Sequence, residues 1–264
     1  MTDTLLYEVR DQVGLITFNR PERMNTISIP MLNALSDRLL EADHDPVVRV
    51  IVITGQGRAW CAGLDIAAAN EGSGISAESA AGATGEFDLR GAPPVVLHKI
   101  DTPTIAALNG GAAGYGMDLA LGCDLRIAAS TAKLSAAYTA RGLIPESGGT
   151  WLLPRIVGWS RAAELLFTGA TLSAHEALEA GLVSRVVEPA DLLNEALDLA
   201  GRIAANAPLA VRAAKRLMRH AQTEDLEDHV ARQYLALLPL FGTNDFAEGL
   251  TAYLEKRPPR FEGS

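Results

Sequence analysis

Apolar residues cluster in strand-length runs up to about residue 190 and then settle into helical spacing. Leu5–Val9 and Val13–Asn19 read as two strands joined at Arg10–Gln12 in a hairpin. Arg20–Asn25 breaks the pattern and predicts a loop. Pro30 suits a first helical position, and Met31, Leu35 and Leu39 follow at four-residue spacing on a helix ending near Asp45-Pro46. Val47–Thr54 is the strongest strand, nearly continuously apolar as a strand covered on both faces is. Residues 67–94 shift to Ala, Gly, Ser and Glu, which predicts a short helix and a mobile, lid-like loop, with Phe87–Leu97 leading back to the core.

Thr104–Leu108, Leu125–Ala129 and Val183–Val187 predict further strands. Lys133–Tyr138 and Arg141–Gly149 flank a polar loop, and Trp151–Val157, Ser160–Phe167 and Ser173–Ala180 read as short helices. Asp191–Asn206, Pro208–Ala221, Leu226–Leu238 and Asp245–Leu254 are helical by three- and four-residue spacing. The pattern implies an α/β core over residues 1–190 and an all-helical region over 191–264. The amphipathic faces of that region must cover the core, a neighbouring subunit, or both.

Two glycine-punctuated loops interrupt the strands, at 55–66 and at 109–124. The second carries five glycines, with Asp118 its one charge before Asp124. A strand that turns on glycines into a helix presents backbone N–H groups, which suits an anion with a carboxylate one turn inside. It equally suits a tight junction in a packed core, with Asp118 as an N-terminal charge. Neither loop fits a nucleotide signature. Trp60 stands where the third glycine of GxGxxG belongs, the spacing around Gly111 is GxxGxG, and no GK[ST] occurs. Two strand-end loops facing one site could instead hold an oxygen that becomes negative during reaction.

Length and charge narrow the partners. The 264 residues allow one large domain or a domain with an appendage, and 48% hydrophobic residues can bury a sizeable core. A net charge of -9 argues against nucleic acid or an anionic membrane as the main partner. The start has no basic segment followed by an apolar one, and no stretch approaches a bilayer span, so a cytoplasmic location is expected. Cys61 and Cys123 sit in apolar surroundings that suit reduced core residues, and neither they nor the histidines have metal-ligand spacing, so no metal is expected.

Residues 53–66 (ITGQGRAWCAGLDI), 103–110 (PTIAALNG) and 142–150 (GLIPESGGT) together resemble successive signatures of the enoyl-CoA hydratase/isomerase (crotonase) superfamily. Asn19-Arg20-Pro21, Leu153–Gly158, Glu248-Gly249 and Lys256-Arg257 extend the likeness over essentially the whole chain. The resemblance implies a crotonase-type spiral of ββα units with a C-terminal helical trimerisation region, and trimers or paired trimers (hexamers). It implies an acyl-CoA substrate, with coenzyme A entering as part of that substrate and no permanently bound cofactor. The thioester oxygen would sit between the backbone N–H groups of Leu64 and Tyr115, beside Gly111 and Gly114. Arg23, Met24, Ala62, Asp65 and Ile66 fall at CoA-contact positions. Tyr253 and Lys256 match positions where a neighbouring subunit supplies such contacts.

Two glutamates typify the family's hydratases. Their positions here hold Asp118 and Tyr138, while Glu146 stands where several isomerases of the superfamily carry Asp or Glu. That departure favours double-bond isomerisation over hydration, with Glu146 as the main proton-transfer group and Asp118 as its partner. Tyr138 would fill the missing glutamate's space or bond the substrate. Glu146 precedes an expected helix start, whose positive end should keep it ionised. Carbon–carbon bond hydrolysis would need a water-activating histidine, for which His98 is the nearest candidate. A non-catalytic scaffold or RNA-binding relative is the alternative outside catalysis.

Overall fold

The computed structural model describes residues 4–65 and 91–264. Ile66 and most of the stretch read as a lid lie outside the described residues. The chain opens with the expected hairpin, β1 (Leu5–Arg10) against β2 (Val13–Phe18), antiparallel. Asp11 and Gln12 both take positive φ at its turn, the left-handed twist that lets a two-residue loop match the twist of its strands. Helix α1 (Ile29–His44) follows and buries Met31, Leu35 and Leu39, one every turn. Strand β3 (Val50–Gly55) starts three residues later than the apolar run predicts. Asp45 explains the delay. Its side chain accepts the Val47 N–H at 2.9 Å and its carbonyl accepts Val48 N–H, so those residues complete a turn.

From β3 onward the strands alternate between two sheets. Strand β3 enters a six-stranded sheet and β4 (Ala59–Cys61) a four-stranded one, followed by α2 (Pro93–Lys99). Next, β5 (Thr104–Leu108) and β6 (Gly111–Ala113) divide in the same way and lead into α3 (Tyr115–Gly122). Strands β7 (Leu125–Ala129) and β8 (Lys133–Ser135) repeat the move and precede α4 (Gly149–Val157). This is the spiral of ββα units that the resemblance implied. The larger sheet runs β1-β2-β3-β5-β7-β10 and is parallel apart from its hairpin. Side chains on both its faces, Ile51, Ile53, Ile105 and Leu108 among them, are fully buried.

Helix α5 (Trp159–Thr168), β9 (Thr171–Ser173), α6 (Ala174–Glu179) and β10 (Arg185–Val187) complete the spiral. Ser173 caps α6 in a reciprocal capping box with Glu176, which is why that helix starts one residue after the predicted position. Four helices follow as predicted: α7 (Leu192–Ala204), α8 (Pro208–His220), α9 (Leu226–Leu240) and α10 (Asn244–Glu255). Helix α7 lays its small face, Ala196, Ala200 and Ala204, on the six-stranded sheet. No residue of α9 is buried within the chain.

Candidate active site

The two glycine loops meet at the ends of β4 and β6. Gly63 and Gly114 both adopt positive φ, and each immediately precedes an expected donor, Leu64 or Tyr115. A Cβ on Gly63 would lie 2.9 Å from Ala113 O and 3.7 Å from Tyr115 N, so the loops touch at that point. Gly116 permits the second close approach: a Cβ there would stand 2.1 Å from Cys61 O, at the start of α3. Tyr115 is the first residue of α3, where an N–H has no acceptor inside the helix. On the other loop, Ile27 N–H bonds Gly63 O and Asp65 N–H bonds Ile27 O, each at 2.9 Å. That short parallel bridge holds Leu64 between two anchored neighbours, in the lining of a cleft of about 520 Å³.

The cleft is walled by Ile27, Ile29, Leu32, Leu143 and Ile144, with Tyr115, Tyr138 and Glu146 among its polar lining. Glu146 sits exposed at its edge and makes no ion pair among the described residues. Crowding by the cleft walls nevertheless pushes its pKa upward. The expected helix start lies close by, but it holds a different acid. Ser147 N–H donates to Asp118 Oδ2 at 3.2 Å, and the Gly149 N–H also serves Asp118. The electrostatics of the α4 start therefore fall on Asp118, and the expectation that they keep Glu146 ionised is corrected.

Asp118 is fully buried and does not line the cleft. Gly149 makes room for it, since a Cβ at that position would lie 2.2 Å from Asp118 Oδ1. Burial outweighs its hydrogen bonds, and with Glu146 nearby its pKa rises to about 6. Tyr138 separates Asp118 from the cleft. The hydroxyl contacts Asp118 Oδ1 and, at 2.6 Å, Gly114 O, so the tyrosine is bonded into the glycine loop in addition to filling space.

Arg23, Met24, Ala62 and Asp65 come together where the loop 20–25 packs on the end of β4. Ala62 N–H donates to Met24 O at 3.1 Å, and Met24 takes a left-handed φ of 57° to permit it. Asp65 is paired with Arg20 at 3.0 Å and with Arg23 at 3.4 Å. Buried Asn25 fixes this loop by donating to Ala59 O at 2.7 Å and Gln56 O at 2.9 Å. Arg20 and Asn25 were given no role by sequence reasoning, although Arg20 stands in one of the family-like blocks. Only the fold brings a residue 45 positions away to Asp65.

Other expected residues fall elsewhere. Gly111 pairs with Ala59 inside the smaller sheet and does not line the cleft. Tyr253 and Lys256 lie at the end of α10, away from the cleft of their own chain, and Tyr253 is 82% exposed. His98 packs edge-on against Trp151, with ring centroids 5.2 Å apart, and is likewise absent from the cleft lining. Cys61 and Cys123 are buried and unbridged, with burial pushing both thiols up to about 12.

The sequence and the fold match known proteins. The family profile for enoyl-CoA hydratase/isomerase matches residues 8–264. The chain is 36% identical over 260 residues to the crotonyl-CoA hydratase of Syntrophomonas wolfei, covering 98% of each. It is 37% identical over 267 residues to the 1,2-epoxyphenylacetyl-CoA isomerase of Escherichia coli, covering 100% of each. Among solved structures, an enoyl-CoA hydratase from Bacillus anthracis matches with a TM-score of 0.91 at 35% identity, over 99% of this chain and 100% of that one. A spiral of ββα units, two glycine loops meeting at one cleft and a profile match over nearly the full length lead to one assignment: the chain is an enzyme of the enoyl-CoA hydratase/isomerase (crotonase) family.

Proposed function

We propose that this protein shifts the double bond of an enoyl-CoA. The carrying observation is that Glu146 is the one cleft-lining carboxylate among the described residues that is free of an ion pair. Asp65 is neutralised by two arginines, and Asp118 is sealed behind Tyr138. The Leu64 and Tyr115 N–H groups would hold the thioester oxygen as it gains enolate charge. Each such donor is typically worth about 2.7–4 kcal/mol in the transition state. A double-bond shift needs a proton taken from one carbon and one returned to another. A single carboxylate with a raised pKa can do both. Hydration calls for a second acid beside the attacking water, and that position holds Tyr138. The cluster Arg23, Met24, Ala62 and Asp65 would receive the CoA end of the substrate.

Supplying the enzyme with 3-hexenoyl-CoA and, separately, crotonyl-CoA tests this reading. Rapid formation of 2-hexenoyl-CoA with slow consumption of crotonyl-CoA is expected. Fast conversion of crotonyl-CoA to 3-hydroxybutanoyl-CoA, with 3-hexenoyl-CoA untouched, would establish hydration instead.

The same reading includes a homotrimer. Leu226, Tyr234 and Leu235 on α9 are 77%, 60% and 67% exposed, and no residue of that helix is buried within the chain. Sedimentation equilibrium should return three times the chain mass, or six times if trimers pair, and a monomer at micromolar concentration would refute the assignment.

A further inference from the structure

Tyr138 Oη makes two oxygen–oxygen hydrogen bonds, to Gly114 O and to Asp118 Oδ1. Each needs a proton between its oxygens, and a phenol carries one. Burial and the neighbouring acids raise the Tyr138 pKa, so that proton stays on the ring oxygen and does not leave it. Gly114 O can only accept. It takes Met117 N–H at 2.7 Å and Asp118 N–H at 3.2 Å as well, both from the first turn of α3. With the phenolic proton on Gly114 O, the second bond takes its proton from the Asp118 carboxyl; with Asp118 ionised, the phenol donates to it instead. The Gly114 carbonyl and the Tyr115 N–H are two ends of one peptide group, and that N–H is a proposed oxyanion donor.

Resting on the oxyanion-hole reading above, we infer that Tyr138 and a protonated Asp118 are positioning residues that align and polarise the Gly114–Tyr115 peptide toward the thioester oxygen. The chain of bonds runs from Asp118 Oδ1–H to Tyr138 Oη, from Tyr138 Oη–H to Gly114 O, and from Tyr115 N–H to the substrate. Bonds in series within a low-dielectric interior polarise one another in the same sense. When Asp118 loses its proton, the Tyr138 hydrogen is drawn to the carboxylate. Gly114 O then faces phenol lone pairs, and a buried anion sits near the developing oxyanion. Both effects weaken the hole. Around Asp118 the acting groups are Tyr138, the backbone N–H groups of Ser147 and Gly149, Glu146 at the cleft, and Tyr115 on its own helix. Glu146 is the other titrating acid, so its contribution has to be removed in the test.

Isotope-edited infrared spectroscopy of bound hexanoyl-CoA, labelled with carbon-13 at the thioester carbonyl, reads the polarisation directly. In the Glu146→Gln protein the carbonyl band should shift further from its free position at pH 5 than at pH 8, with a midpoint below the wild-type Asp118 pKa of about 6, because the Glu146 charge that helps raise it is gone. Asp118→Asn, an uncharged isostere with a donor of its own, should keep the low-pH shift throughout. Tyr138→Phe should show a smaller shift at pH 5. Its turnover should fall about tenfold, short of the roughly 10²–10³-fold cost of losing a donor outright, while hexanoyl-CoA affinity stays near wild type and far-UV circular dichroism shows a folded protein. A Glu146→Gln band that moves with binding but not with pH overturns the inference, as does a Tyr138→Phe band that keeps full size and pH response. A band that does not move on binding to wild type overturns the oxyanion-hole reading itself.

Discussion

At Asp118 a carboxyl group is held in the core by Tyr138, by backbone N–H groups and by the space that Gly149 leaves. Its pKa stands near 6 against an ordinary 3.8. Below pH 3.8 the group is protonated whether folded or unfolded, and its stabilising contribution is fully present. As the pH rises toward 6 and beyond, the folded state must give up a proton it holds more tightly than the unfolded chain, and that contribution is lost. Asp118→Asn has no such proton. Its stability relative to wild type should therefore climb between pH 4 and pH 7, by up to about 3 kcal/mol, measured as the difference in urea unfolding free energy at each pH. A flat difference would mean that Asp118 has an ordinary pKa. The chain's pattern marks Asp118 as a carboxylate on a helix after a glycine turn, and family likeness marks it as an acid position. Its proton partner is twenty residues on, at a tyrosine with no local signature, so only the fold reveals that contact.

At the scale of elements, glycines set how closely α3 approaches β4. Alanine normally improves a helix over glycine by about 1 kcal/mol. At Gly116 the sign should reverse, because the new Cβ would stand 2.1 Å from Cys61 O, a backbone atom that cannot move aside cheaply. Gly116→Ala should lower unfolding free energy by about 1–3 kcal/mol in chemical denaturation and cut turnover with it; a gain in stability would show that the two elements are not in contact. The strands of the six-stranded sheet were readable where they hold five or six residues in apolar runs. Strands β4, β6, β8 and β9 hold three residues each, too few for any alternation: β4 and β6 lie inside the glycine loops, β8 in a segment read only as flanking a polar loop, and β9 runs into the start of a predicted helix. The spiral followed from the likeness of blocks along the chain, since no local period encodes which sheet a three-residue strand will join.

Across the whole molecule, α8 docks through charge. Its spacing announced an amphipathic helix, yet the one residue it buries is Lys215. Arg212 meets Asp43 at 3.0 Å, Lys215 meets Asp124 at 2.7 Å, and Arg219 meets Asp101 at 2.8 Å, with Arg216 paired to the same Asp101. Lys215 also donates to Thr102 O at 2.9 Å. Hydrophobic periodicity finds such a helix without showing that its inner face is basic. Lys215→Ala should cost about 2 kcal/mol in urea unfolding, less than a wholly buried pair because Asp124 is partly exposed and keeps Thr104 as a partner. No loss would mean that the ionic seam contributes nothing net.

In the proposed reaction the acid facing the cleft, and not the acid buried behind it, carries the proton. Turnover of 3-hexenoyl-CoA by Glu146→Gln and Asp118→Asn, measured side by side at saturating substrate, separates the two acids. Glu146→Gln should fall by about 10²–10⁴-fold, the usual weight of a general base, with Asp118→Asn within about tenfold of wild type. An Asp118→Asn protein as inactive as Glu146→Gln, or a Glu146→Gln protein that still turns over freely, would contradict that assignment.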